Sequence, residues 1–197
     1  MRNLVRASVL LLALVLSEPV LAGPLEDAVA AYQKQDYTAA LRLLRPLAAQ
    51  GDAAAQDYLG FMYQHGLGVP QDYAQAVKWY RLAADRGYAD AQDYLGFMYQ
   101  RGFGVSRDYA QAVKWYRLAA DQGYAGAQFN LGYMYALGRG VPQDYVEAHK
   151  WFNLSAAWAS DADTRKRAAK ARDDRALMMT PAQIAEAQKR ASAWQPK

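Results

Sequence analysis

Cysteine is absent from this 197-residue chain. That excludes disulfide staples, and it excludes a lipid carried on an N-terminal cysteine. Histidine occurs only at His65 and His149. A metal site needs ligands at recognisable spacing, and no second histidine or cysteine stands near either one. Both read as structural, and His149, standing where Val77 and Val113 stand elsewhere, reads as partly buried. No metal or cofactor is expected. The chain has no phosphate-cradling glycine loop followed by Lys-Ser or Lys-Thr. None of Ser106, Ser155, Ser160 and Ser192 sits in a strained elbow or beside a base. Asp173 and Asp174 are adjacent, so on a helix their carboxylates diverge. A glycosidase-like pair from Asp57 and Asp93 would need a pocket and shifted pKa values, and the sequence implies neither. Catalysis is therefore not expected.

Long hydrophobic runs are also scarce. One runs over Ala7–Leu16, interrupted by Ser8, with Arg2 and Arg6 before or at its start and Val20-Leu21-Ala22 after it. A basic start, a short apolar run and a final small residue have the form of an export signal over residues 1–22, cleaved near Ala22. The run is too short to span a bilayer, and no second one follows, so no transmembrane segment is expected after cleavage. The expected location is the periplasm, or secretion beyond it.

Charge of one sign is scarce in most of the chain. Residues 23–160 carry 12 basic and 13 acidic side chains, whereas residues 161–197 carry 9 and 5. A near-neutral body does not suggest a nucleic-acid binder, which shows a basic stripe on its working face. The C-terminal run Arg165-Lys166-Arg167, with Lys170, Arg172 and Arg175, has acidic residues at helical spacing. Pairs Asp161–Arg165 and Asp163–Arg167 are expected, in a solvated capping helix.

What the chain does have is an echo at 36 residues. Ala53–Tyr88 and Ala89–Tyr124 match at 30 of 36 positions, and Ala125–Ser160 is a looser third copy. A fixed period of this size means one supersecondary unit stacked into an array. Each copy reads as helix, turn, helix. Ala55, Leu59, Met62 and Tyr63 share one face of the first helix, which stops at Gly66, a residue free to take the left-handed cap conformation. The turn Gly66-Leu67-Gly68-Val69-Pro70 is too rich in Gly and Pro to stay helical. Asp72 then opens a second helix with Tyr73, Ala76, Val77, Tyr80, Ala83 and Ala84 on its apolar stripe. Asp72 with Gln75, Asp108 with Gln111, and Asp144 with Glu147 have capping-box spacing. Alanines and Gly60 permit close helix approach, and Trp79 and Tyr80 fill the gaps between copies.

The recurring string Ala-Gln-x-x-Leu-Gly-x-Met-Tyr, Gly-x-Gly-Val-x-x-Asp-Tyr, Ala-x-Lys-Trp-Tyr-x-Leu-Ala-Ala-x-x-Gly spans Ala55–Gly87, Ala91–Gly123 and, less completely, Ala127–Ala159. It resembles the Sel1-like repeat, a relative of the tetratricopeptide repeat. The predicted fold is accordingly an all-α solenoid of helix-turn-helix repeats. Its predicted divisions are a tetratricopeptide-like opening unit over 23–52, repeats over 53–88, 89–124 and 125–160, and capping helices over 161–197. Ten helices in five pairs are expected, the last two from Asp161–Met178 and Pro181–Trp194.

In such solenoids the first helices line a concave groove where partners dock, and the resemblance implies the same here. The stripe comprises Asp57, Tyr58, Phe61 and Gln64, with His65 beside it. Its counterparts are Asp93, Tyr94, Phe97, Gln100 and Arg101, and then Phe129, Asn130, Tyr133 and Ala136. Aromatics flanked by polar groups suit recognition. The same spacing also fits simple packing between repeats. Positions 65, 67, 71 and 86 are among the six that vary between the first two copies, and 57, 58, 64 and 65 vary in the third. The expected function is that of an exported, monomeric, non-enzymatic scaffold for a protein or peptide. A second reading of the same aromatics is a cell-envelope module binding peptidoglycan or exopolysaccharide; a cell-wall hydrolase would lack any motif.

Overall fold

A computed structural model describes residues 23–197, so the expected export signal over 1–22 lies outside the described residues. These form ten helices and no strands: α1 (Pro24–Gln33), α2 (Tyr37–Ala49), α3 (Ala53–His65), α4 (Tyr73–Ala84), α5 (Ala89–Arg101), α6 (Tyr109–Asp121), α7 (Ala125–Leu137), α8 (Tyr145–Trp158), α9 (Ala162–Ala176) and α10 (Pro181–Ser192). From α1 to α8 each helix packs mainly on its neighbours in sequence. Nearest-neighbour packing of this kind is the signature of a solenoid. Among the described residues no helix is long and apolar enough to cross a membrane.

The core is a series of aromatic plates set against small residues. Leu59, Met62, Tyr80, Leu95, Met98, Tyr116, Leu131 and Phe152 are buried together with a row of alanines. The repeated glutamine after the repeated alanine has a definite task. Gln56, Gln92 and Gln128 are buried, and each donates its side-chain amide to the carbonyl eight residues earlier, on Ala48, Ala84 and Ala120. Burying an amide without such a partner is costly, so this contact locks each repeat to the end of the previous one.

The turn between paired helices also serves as an inter-repeat contact. Gly104 has φ +69°, and a β-carbon there would lie 2.2 Å from the Tyr73 carbonyl oxygen in the preceding repeat. No side chain fits, and only glycine takes that conformation without strain.

The three aspartates cap as expected: Asp72 accepts from the Gln75 N–H, Asp108 from Ala110 and Gln111, and Asp144 from Val146 and Glu147. The reciprocal half of the capping box does not form at them. The backbone N–H of Asp72, Asp108 and Asp144 already donates to Tyr63, Tyr99 and Tyr135 of the preceding helix. The side chain three residues on is therefore released, and Glu147 uses it to reach Lys150, Trp151 and Arg190. Among the described residues the full box forms only at Thr180 and Gln183.

Ten helices were expected in five pairs, and the last two are arranged differently from the other eight. Helices α9 and α10 both pack mainly on α8. Each buries just two alanines, Ala168 and Ala171 in α9, Ala187 and Ala191 in α10. These alanines join different clusters, Ala168 and Ala171 with Phe129 and Phe152, and Ala191 with Trp151 and Leu154. The expected Asp161–Arg165 pair does not form either. Asp161 caps the Thr164 N–H, and Arg165 donates to the carbonyls of Ala159 and Ser160, whereas Asp163 does pair with Arg167. Trp194 closes the end against Trp151 and Trp158, and Lys197 binds Asp121.

Candidate partner-binding face

The first helices of successive pairs meet in a row, α1 with α3 through Tyr32 and Phe61, α3 with α5 through Phe61 and Tyr94, and α5 with α7 through Asp93 and Asn130. Between α1, α3 and α5 lies a cavity of about 230 Å³, lined by Tyr32, Asp57, Tyr58, Phe61, Tyr88, Asp90 and Tyr94. Its aromatic walls stand nearly at right angles. Tyr32 meets Tyr58 at 5.3 Å and 66° and Phe61 at 6.3 Å and 78°, and Phe61 meets Tyr94 at 5.9 Å and 65°. Tyr94 in turn stacks on buried Tyr80 at 5.0 Å.

The acid groups here depart from ordinary carboxylates. Oδ1 of Asp57 is buried with no hydrogen-bond partner. Burial, reinforced by the charge of Asp90, pushes the Asp57 carboxyl up to about 7. Asp93, one repeat on, is also pushed up to about 7 by burial, although it accepts a 2.9 Å hydrogen bond from the Asn130 amide. The absence of a pocket and of shifted pKa values, expected from the sequence, is thus overturned at Asp57 and, for the shift, at Asp93. Removing a carboxylate from water disfavours its charge, and neither position has a basic side chain to restore it. Burial and the same aspartates raise the phenols of Tyr88 and Tyr94 to about 12. They are neutral hydroxyls at physiological pH.

The other stripe residues divide between packing and surface. Gln64 accepts from the Tyr80 hydroxyl and Gln100 from that of Tyr116. Phe97 meets Phe103 edge-on and lies under the Arg101 guanidinium at 5.5 Å. Phe129 is buried with Phe152, Ala168 and Ala171 beneath α9, and Arg167 covers its ring at 4.9 Å. Ala136 is buried as well, whereas Tyr133 is 40% exposed. The cavity therefore gathers Asp57, Tyr58, Phe61 and Tyr94, while the capping helix closes off the third-repeat end at Phe129. His149 is buried, with its pKa lowered by burial and by Arg172. Among the described residues no group of three or more His or acidic side chains is placed to hold a metal.

Tyr32, Tyr88 and Asp90 belong to the cavity but not to the expected stripe. Tyr32 comes from the opening unit and Tyr88 from a helix cap. Asp90 had a signal in the sequence, because position 54/90 is one of the few at which the first two copies differ: alanine in one, aspartate in the other.

The Sel1 repeat family model matches residues 30–52, 53–88, 89–124 and 125–157, well over half of the chain. The fold is similar to the crystal structure of a Sel1 repeat protein from Oxalobacter formigenes, with 31% identity and a TM-score of 0.65 over 84% of this chain and 73% of that one. It is also similar to a protective antigen present in uropathogenic Escherichia coli strains, which displays an SLR fold. There the identity is 26% and the TM-score 0.58, over 83% of this chain and 44% of that one. No curated protein matches the chain.

Proposed function

The chain belongs to the Sel1 repeat family, and from that premise we propose that it is an exported scaffold without catalysis of its own, holding a protein or peptide against the side formed by α1, α3, α5 and α7. Sel1 repeat proteins generally mediate protein–protein interaction. Export rests on the basic start, the Ala7–Leu16 run and Ala22. Support for the binding side comes from one observation. There the array leaves rings and carboxylates lining a cavity that its own packing does not fill. Large, rigid aromatics bind at low entropy cost, so such a surface suits an extended segment laid across several first helices.

Panning the purified protein against displayed random peptides tests this. Enriched peptides should lose binding to Phe61→Ala while still failing to bind through the opposite, α4 surface, read by their indifference to Leu82→Ala. Loss through Leu82→Ala alone would move the site to the other side. Retention on insoluble peptidoglycan, abolished by Phe61→Ala, with no enriched peptide would replace the peptide by a glycan.

A further inference from the structure

The first two repeats are nearly the same sequence, yet their equivalent residues meet different partners. Asp57 and Asp93 hold one repeat position. Asp93 receives the amide of Asn130 from the next repeat. At Asp57 the residue in Asn130's place is Tyr94, whose ring packs on Tyr80 and Phe61, and Asp57 Oδ1 is left buried and without a partner. Phe61 and Phe97 hold another shared position. Phe97 lies under Arg101, but His65 stands in Arg101's place in the first copy and packs on Phe61 at 4.1 Å. Among the described residues, no Lys or Arg lies over the ring of Tyr32, Tyr58, Phe61 or Tyr94, although eight cations cover seven rings elsewhere in the chain. In the second copy, then, this chain supplies both a donor for the carboxylate and a cation for the ring. In the first copy it supplies neither.

The second copy adds one more change. Asp90 replaces the Ala54 of the first copy, and this places a second carboxylate on the cavity facing Asp57. Two like charges brought together repel, and neither forms an ion pair among the described residues. An incoming cation removes that repulsion. Aromatic faces attract the same ligand through their quadrupoles, more strongly once water is excluded.

We propose that this cavity seats one organic cation, a lysine ammonium or arginine guanidinium carried by the bound peptide, with Asp57 and Asp90 as counter-charges and Tyr32, Tyr58, Phe61 and Tyr94 as walls. Size agrees. About 230 Å³ is the space of roughly eight water molecules at about 30 Å³ each, room for one side-chain head and below the roughly 300–1,000 Å³ of drug-sized pockets. A hard divalent ion fits poorly, since calcium takes about six to eight oxygen ligands and here two carboxylates share the space with rings. A cation beside Asp57 would also favour the ionised form that burial opposes.

The proposal rests on the peptide-binding reading, and two measurements separate their failures. In the first, n-butylammonium and its neutral isostere n-butanol are titrated into the purified protein, followed by NMR of the tyrosine rings. Saturable shifts are expected with butylammonium only. Asp57→Asn should weaken them by roughly tenfold, as for loss of one charge-assisted contact. The double variant Asp57→Asn/Asp90→Asn should abolish them, and Asp93→Asn, at the internally satisfied site, should leave them unchanged. These amide replacements are isosteric, and circular dichroism checks that each variant stays folded. Equal shifts with butanol, undiminished binding by the double variant, or displacement of butylammonium by calcium would overturn the proposal. In the second, the panned peptides are sequenced. Enrichment of Lys or Arg that disappears with the double variant supports the cation site. Peptides that depend on Phe61 but carry no recurring basic residue would sink it while leaving the peptide-binding reading in place. No peptide at all, with butylammonium still bound, would sink the peptide reading instead.

Discussion

Gly96 of α5 lies against the ring of Tyr116 in α6, so closely that a β-carbon on it would stand 2.7 Å from Cδ1 and 2.8 Å from Cε1. The same approach recurs at Gly60 with Tyr80 and at Gly132 with Phe152. It sets how near the two helices of a repeat can come. Gly96→Ala pits two effects against each other. Alanine gains up to about 1 kcal/mol in helix propensity, whereas overpacking a core costs roughly 1–3 kcal/mol. The ring it would strike is fully buried and cannot swing away. Net destabilisation is expected in urea denaturation, and a more stable variant would show that the helix pair can open.

Leu95 is completely buried beside Met98 and Tyr80. Leu95→Ala removes its contacts and leaves a cavity, for a loss of about 2–5 kcal/mol in chemical denaturation. A change below about half a kcal/mol, the range of ordinary surface substitutions, would mean that this face of α5 is not core.

The capping aspartates separate from the polar residues three positions later. Asp108→Ala should cost on the order of 1 kcal/mol, because two N–H groups of α6 lose their acceptor. Gln111→Ala should be close to neutral, since the Asp108 N–H that a capping box would satisfy is already bonded to Tyr99. Comparable losses from both variants would restore the capping box and contradict the backbone bond.

Stability should depend on pH with a definite sign. Asp57 and Asp93 have folded pKa values of about 7, above the ordinary carboxylate value of 3.8. Between those values these two groups hold more protons in the folded chain than in the unfolded one, so their contribution to stability is fully present below about pH 4 and is lost as pH rises through 7. Facing Asp57 are Tyr58 on its own helix, Tyr80 on α4, and Tyr88, Asp90 and Tyr94 around α5. Facing Asp93 are Asp90, Tyr94, Tyr116, Tyr124 and Asn130. No cation among them reverses the sign for either group. The melting temperature should therefore be higher at pH 5 than at pH 8, and Asp57→Asn/Asp93→Asn should flatten the difference. A melting temperature that rises from pH 5 to 8, or a slope the double variant keeps, would show that the two carboxyls ionise freely.

Most of the array was legible because repetition exposes structural positions. Asp72, Gly66, Gly60 and Leu59 recur with their counterparts, and each recurrence maps to a cap, a turn, a close approach or a core contact. Less legible was the consequence of small differences. The cavity combines a tyrosine from α1, a cap residue before α5 and the aspartate at position 90, which no single helical stripe contains. The mutual placement of α9 and α10 was hidden too, because an alanine-rich, highly charged helix has no stripe that names its neighbour.

By itself, the 36-residue period determined the helix pairs, their turns and caps, and the nearest-neighbour order of the array, since those depend on local backbone preference and on apolar spacing within one repeat. Tertiary structure alone decided which of two equal aspartates finds a partner. Asp57 and Asp93 have the same adjacent residues in sequence, but one shares its cavity with Tyr94 and the other receives the amide of Asn130, each presented by the following repeat. Burial and hydrogen bonding act across that interface, so the chemistry of each repeat is set by the residues stacked against it.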